Sequence, residues 1–291
     1  MTLKLALATS SLPTSFARGT GRRAPARPPG APWRWAWAGV LLGLLGTLLL
    51  FAPAQWLAQG VAMATHDQLQ LQEARGTVWH GSAQVVLTGG AGSRDAQALP
   101  GRITWALQPL NSEQQLSLRS DCCMPTPLHL HLRISPAWDG AQLQLSDTTS
   151  TWPAALLSGL GAPWNTLQPE GDLAITPQQL RLQWQSGRMR TQGSVKITAH
   201  NMASRLSPLK PIGTYQVDIT TAAAPSTGIE LKLSTASGSL LLTGQGQWQG
   251  SGQRLHFQGE ASAAPEHEAA LNNLLSIIGR RQGARSLLSW G

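Results

Sequence analysis

The chain has 291 residues, of which 42% are hydrophobic and only 12% charged, about half the usual charged share. Apolar residues recurring at regular spacing exclude a disordered chain, and a composition rich in Gly, Pro, Gln, Ser and Thr suits strands and turns better than long solvated helices. The net charge of +8 suggests nucleic acid, but Lys4, Arg18, Arg22, Arg23, Arg27 and Arg34 supply six of those charges in a stretch without acids, and the rest is nearly neutral. A basic tail beside an apolar segment is a topology signal, so nucleic acid is not an expected partner.

Residues 1–34 are therefore expected to form a basic cytoplasmic tail. Residues 35–65 carry no charge, and Ala38 to Ala52 is almost purely apolar. With its flanks, 35–56, the run is about 20 residues long, enough to span a bilayer core of ~30 Å. Trp33, Trp35 and Trp37 at one end and Trp56 at the other resemble the aromatic belts of a membrane span. Ala52-Pro53-Ala54 resembles a signal-peptidase site, but the apolar run is longer than a signal core. Under either reading the remaining domain, 57–291, is exported. Gly39 and Gly43 form a GxxxG, a candidate contact face for a second membrane helix, although glycine is in any case frequent in such helices.

From Leu69 onward, apolar and polar residues alternate. The period-2 runs include Leu69–Leu71, Ala83–Leu87, Ile103–Leu107, Leu128–Ile134, Leu180–Trp184, Tyr215–Ile219, Ile229–Leu233 and Leu240–Trp248, with Gly or Pro in nearly every gap. One wet face and one buried face is the mark of antiparallel sheet. The expected fold class is mostly β: one N-terminal transmembrane helix, then an antiparallel, curved β-sheet domain. A short middle helix is expected over Pro153–Gly161, with Thr151 as its cap, and an amphipathic C-terminal helix over Pro265–Gly279. In the second helix Leu271, Leu274, Leu275 and Ile278 share one face. The stretch from Thr149 to Gly171 is a candidate boundary between two halves.

Cys122 and Cys123 are the only cysteines and are adjacent. In an oxidising compartment they are a candidate disulfide with each other, or one thiol could pair with another subunit. His129 and His131 share a strand face just downstream, but the spacing C-C-x5-H-x-H lacks the separated ligand pairs of a zinc site, so an outward polar face is the expected reading. No nucleophile elbow, HExxH or P-loop occurs. Gly244-x-Gly246-x-x-x-Gly250 lies within strand alternation, so it is not a dinucleotide fingerprint. The expectation is a protein that is not an enzyme and takes no cofactor.

Several ordered segments carry a resemblance. Ala74 to Ala83 (ARGTVWHGSA) is similar to an A-x-G-T-[LV]-W-x-G-x-A signature, Leu99 to Trp105 to an L-P-x-x-[LIV]-x-W strand, and Leu160 to Gly171 to an L-G-x-P-x-N-T-L-x-P-x-G turn. Ser207-Pro208-Leu209, Gly213-Thr214-Tyr215, Ser237 to Gly246 and Phe257 to Ala261 follow in order. Together these resemble the GspN family, protein N of the general (type II) secretion pathway, from the membrane segment to about residue 283. That resemblance implies a single-pass bacterial inner-membrane protein, N-terminus cytoplasmic and main domain periplasmic. It implies an accessory role in export of folded proteins across the outer membrane, with other inner-membrane components of the apparatus as partners. The build also resembles AsmA-like β-rich proteins, which implies a lipid-handling alternative with phospholipid as ligand. In the first signature, Gly76 and Gly81 are expected to bracket a short strand from which Trp79 fills a core site.

Overall fold

A computed structural model describes residues 33–110, 113–135, 140–185, 188–221, 228–249 and 254–290. Lys4, Arg18, Arg22, Arg23 and Arg27 of the basic tail, and the turn at 250–252, lie outside the described residues. The chain divides after Leu48 into two units. Most of helix α1, Trp33–Leu50, belongs to the first; it has no buried residue and is long and apolar enough to cross a membrane. Its 18 residues give a length of ~27 Å at ~1.5 Å per residue. The Thr47 hydroxyl donates to the Gly43 carbonyl at 2.8 Å, so the one polar side chain within the apolar run is satisfied inside the helix.

The second unit, Leu49–Gly291, is built on one antiparallel sheet of 16 strands. The strands are β1 (Leu69–Gly76), β2 (His80–Thr88), β3 (Ala96–Ala98), β4 (Ile103–Leu110), β5 (Glu113–Ser120), β6 (Met124–Ile134), β7 (Gly140–Leu145) and β8 (Ser150–Pro153). They continue with β9 (Pro169–Gln185), β10 (Arg188–Ser204), β11 (Gly213–Thr221), β12 (Ile229–Gly238), β13 (Leu240–Gln249), β14 (Arg254–Ala263), β15 (Arg280–Gln282) and β16 (Arg285–Trp290). Neighbours follow chain order apart from β3 and β8, which pair at the side with β2 and β9, and the terminal β14-β16-β15 order. The sheet is curved, as the AsmA-like resemblance implies.

Period-2 alternation keeps one face apolar only while register holds. Where an extra residue enters a strand, every later side chain changes face. Here the extra residues restore the pattern. Glu73 in β1, Gln179 in β9 and Asn201 in β10 take positive φ beside register shifts. Around Gln179 the apolar positions change from Leu173, Ile175 and Pro177 to Leu180, Leu182 and Trp184, so both sets face the same way. Lateral rows of apolar side chains result: Leu107-Leu116-Leu130-Leu145 across β4 to β7, and Val195-Ile219-Leu231-Gly246-Phe257 across β10 to β14. The opposite face is polar; Lys196, Asp218 and Lys232 stand opposite one another on β10, β11 and β12.

Three small cores cover parts of the apolar face. Helix α2, Ala54–Ala64, lays Ala54 and Leu57 on Ala83 and Trp105. A 3-10 helix, Ala154–Leu160, sets Leu156 beside Val85, Leu99 and Cys123. Helix α4, Glu268–Ile278, places Leu271, Leu274 and Leu275 against Ile212, Tyr215, Leu240 and Ala261. The short helix α3, Trp164–Leu167, precedes β9.

The structure departs from the sequence reading in several places. The apolar helix stops at Leu50 because Pro53 cannot continue it, and Trp56 belongs to the separate helix α2, whose Ala54 is buried. The middle helix is 3-10, and Pro153, without a side-chain cap, precedes it in place of Thr151, which lies in β8. Thr77 to Trp79 form the β1–β2 turn, not a strand. Trp79 sits half-buried at that turn, its indole N–H donating to the Leu49 carbonyl at 2.8 Å. Trp105 takes the core site instead, because Gly81 leaves its ring room: a Cβ on Gly81 would lie 2.5 Å from Trp105 Cζ2. Within Thr149 to Gly171, β8 pairs at the side with β9, only the stretch between them runs outside the sheet, and β7 pairs directly with β9. After α4 the chain adds β15 and β16, which the alternation did not reveal.

Candidate functional site: the apolar face of the sheet

In an antiparallel sheet the connections alternate between two ends. The last residues of β1, β4, β6, β9, β11, β13 and β16 lie at one end. The α4 segment and the β5–β6, β10–β11 and β12–β13 connections fall at the other. The covering elements are therefore unevenly spread. Around α4 and the 3-10 helix side chains are fully buried; at the first end α2 buries Ala83 and Trp105 beside the β1–β2 turn and Phe257 is buried, but large apolar side chains on β6, β9, β10, β13 and β16 stay exposed.

Five large apolar side chains mark this open end. Ile134 is 41% exposed, Trp184 39%, Met189 50%, Trp248 41% and Trp290 61%. Register places Ile134, Ala141, Trp184 and Met189 in one row across β6, β7, β9 and β10. Ile229, Trp248 and Leu255 form a second row across β12, β13 and β14. Trp290 pairs with Phe257, their ring centroids 6.2 Å apart and tilted by 41°. The Phe257 ring lies over Gly244 and Gly246; a Cβ on Gly244 would come within 2.4 Å of it. This gives Gly244 and Gly246 a packing role in place of any phosphate loop.

The polar face carries a shallow hollow of about 60 Å³ lined by Glu113, His131, Arg133, Gln142 and Gln144. Arg133 pairs with Glu113, and His131 Nδ1 lies 3.8 Å from the same carboxylate. His129 Nδ1 is 2.9 Å from Gln115 Nε2. His129 and His131 thus point to the polar face with hydrogen-bonding or ionic neighbours, and no Ser, Cys or Thr nucleophile lines the hollow. Among the described residues no group of three or more His, Cys, Asp or Glu stands ready for a metal.

Cys122 and Cys123 lie in the β5–β6 turn at the covered end, joined by a disulfide with S–S 2.06 Å. Cys123 packs beneath Leu156, and its carbonyl accepts from the Thr151 amide at 2.8 Å, so the pair sits against the start of the middle excursion. Gly39 and Gly43 lie on α1 with nothing near their Cβ positions, far in sequence from the histidines and cysteines. No two of these predicted sites are brought together.

Two titratable groups stand out. Burial pushes the Tyr215 phenol well above its ordinary range, while its hydroxyl donates to the Leu240 carbonyl at 3.1 Å. Lys210, hydrogen-bonded to Glu170 at 2.7 Å, holds that exposed carboxyl below its usual value. Both bonds tie segments together at the covered end. The exposed row of Ile134, Trp184 and Met189 was not singled out from the sequence. The signal available was the parity change between Pro177 and Leu180, which only a bulge reconciles with a single apolar face.

Comparison with curated proteins and with solved structures finds no match. Residues 67–287 match the family model for protein N of the type II secretion system, covering nearly the whole sheet unit from just before β1 into β16. The chain belongs to the type II secretion system protein N family.

Proposed function

We propose that the chain is a non-catalytic accessory component of the type II secretion apparatus in the bacterial inner membrane. It would be anchored by Trp33–Leu50, with a cytoplasmic basic tail and a periplasmic sheet domain. The family match across residues 67–287 carries this reading. The orientation rests on the five cations that precede the apolar helix and on Arg34 in its first turn, since positive flanks stay on the cytoplasmic side. A non-catalytic role is supported by where the chemistry goes: His129, His131, Tyr215 and Glu170 are all engaged in ordinary packing or pairing. Other inner-membrane components of the apparatus are the proposed partners, met through the Gly39/Gly43 helix face or the sheet edges β1 and β15. Crosslinking in native membranes, followed by affinity capture and intact-mass analysis, tests this. Capture of inner-membrane secretion components with an uncleaved chain is expected; their absence would contradict the reading.

A second reading, a lipid-handling envelope protein of AsmA-like build, is favoured by one observation: the apolar sheet face keeps large exposed side chains on β6, β9, β10, β13 and β16 that no helix covers. Phospholipid retained along that face after capture, without secretion components, would favour it.

A further inference from the structure

We propose that the open end of the sheet docks onto the surface of the same membrane that holds the chain, with Trp184, Met189, Trp248 and Trp290 entering the boundary between headgroups and acyl chains. The inference rests on reading Trp33–Leu50 as a membrane span. Chain connectivity locates the surface. The chain from Leu49 onward, which belongs to the sheet unit, is fastened to the β1–β2 turn: Trp79 Nε1 donates to the Leu49 carbonyl at 2.8 Å, the Val78 amide to the Ala52 carbonyl at 2.9 Å, and Pro53 bridges to Thr77. These contacts hold the point of exit within a few residues of the span. The β1–β2 turn lies at the end of the sheet where Ile134, Trp184, Met189, Trp248 and Trp290 are exposed. Those side chains are thus on the membrane side of the domain.

The residue types suit a bilayer boundary. Three of the five are tryptophans, whose amphipathic rings favour the headgroup layer. Among the described residues, the charges at these strand ends balance, Arg133 and Arg190 against Glu113 and Glu230. The contact is therefore apolar and aromatic, and it persists in high salt. A bilayer also covers what the helices leave bare: α4 and the 3-10 helix shield the remote end and α2 the corner beside the β1–β2 turn, while β6, β9, β10, β13 and β16 keep exposed apolar side chains at the first end.

The test uses the full-length protein in nanodiscs of phosphatidylethanolamine and phosphatidylglycerol doped with a phospholipid whose acyl chain carries a diazirine. Lipid adducts are mapped by peptide mass spectrometry after irradiation. The expected result is adducts on the 33–50 peptide and on peptides holding Trp184, Met189, Trp248 and Trp290, retained in high salt. Peptides of the covered end, around Ile212 and Leu275, should carry none. Replacing Trp184→Glu and Met189→Glu together should abolish adducts on their peptide. The exposure of both side chains makes this pair tolerable to the fold, which an unchanged far-ultraviolet spectrum and melting temperature would verify. Adducts confined to 33–50 would overturn docking while leaving the span intact. Adducts absent from 33–50 would instead remove the span reading on which the proposal stands. Adducts spread evenly over the apolar face as far as Leu173 and Ala199 would also overturn it, since they would mean lipid filling the face and not a boundary contact.

Discussion

At the scale of single residues, the fold depends on places where a side chain was traded for space or kept neutral. Gly81 is one: a Cβ there would meet Trp105 Cζ2 at 2.5 Å, the Arg75 carbonyl at 2.7 Å and the Thr77 carbonyl at 2.9 Å. Two of those atoms are backbone and the third belongs to a buried ring, so none gives way easily. Gly81→Ala is expected to destabilise the sheet unit by about 1–3 kcal/mol, read as a lowered urea midpoint of the full-length protein in detergent. Tyr215 is the second. As the only tyrosine in the chain, it can be followed alone by tyrosinate absorbance. Its folded pKa is raised by burial, so its stabilising contribution is complete below the unfolded value of about 10 and declines as pH rises from there toward the folded value. Tyr215→Phe should remove that alkaline decline. It should also cost about 1 kcal/mol at neutral pH through loss of the hydrogen bond to Leu240. Tyrosinate that forms at the ordinary pH before any unfolding would contradict the burial argument.

At the scale of elements, α4 shows how amphipathic spacing becomes a cover. Leu271, Leu274 and Leu275 are buried, whereas Ile277 is 40% exposed. Leu275→Ala is expected to cost about 2–5 kcal/mol, and Ile277→Ala at most about 0.5 kcal/mol as a surface change; a thermal melt of both variants checks the contrast. Ser286 of β16 donates to the Leu275 carbonyl at the end of α4 while itself fully buried. This helix was legible in the sequence because its spacing, its N-terminal acids and its closing glycine all point the same way. The strands were legible from alternation. Helix α2 was not, because its residues continue the uncharged run of the preceding segment, and only Pro53 marks the break. Nor were β15 and β16, where Arg280 to Gln282 and Arg285 to Trp290 are too short and mixed to alternate clearly. A basic, three-residue β15 also blunts the sheet edge it forms, as short charged edges commonly do.

At the scale of the molecule, one long sheet gains a single apolar face only because bulges at Glu73, Gln179 and Asn201 correct its phase. The sequence shows each run of alternation but not the phase between runs, which is why the exposed row at the open end emerged only from register. Trp79 was misplaced for a related reason: a large aromatic between two glycines reads equally well as a core residue or a turn residue, and the backbone at Leu49 decided it. The family match covers nearly the whole sheet unit, so the functional expectation applies to the molecule more than to any local cluster. The most direct measurement is export of type II substrates from cells deleted for this chain and complemented either with the full protein or with one lacking residues 33–50. Secreted proteins should accumulate in the periplasm of the deletion strain, and only the full, anchored chain should restore their export. Unchanged export in the deletion strain, or full rescue by the unanchored chain, would contradict an anchored accessory role in the secretion apparatus.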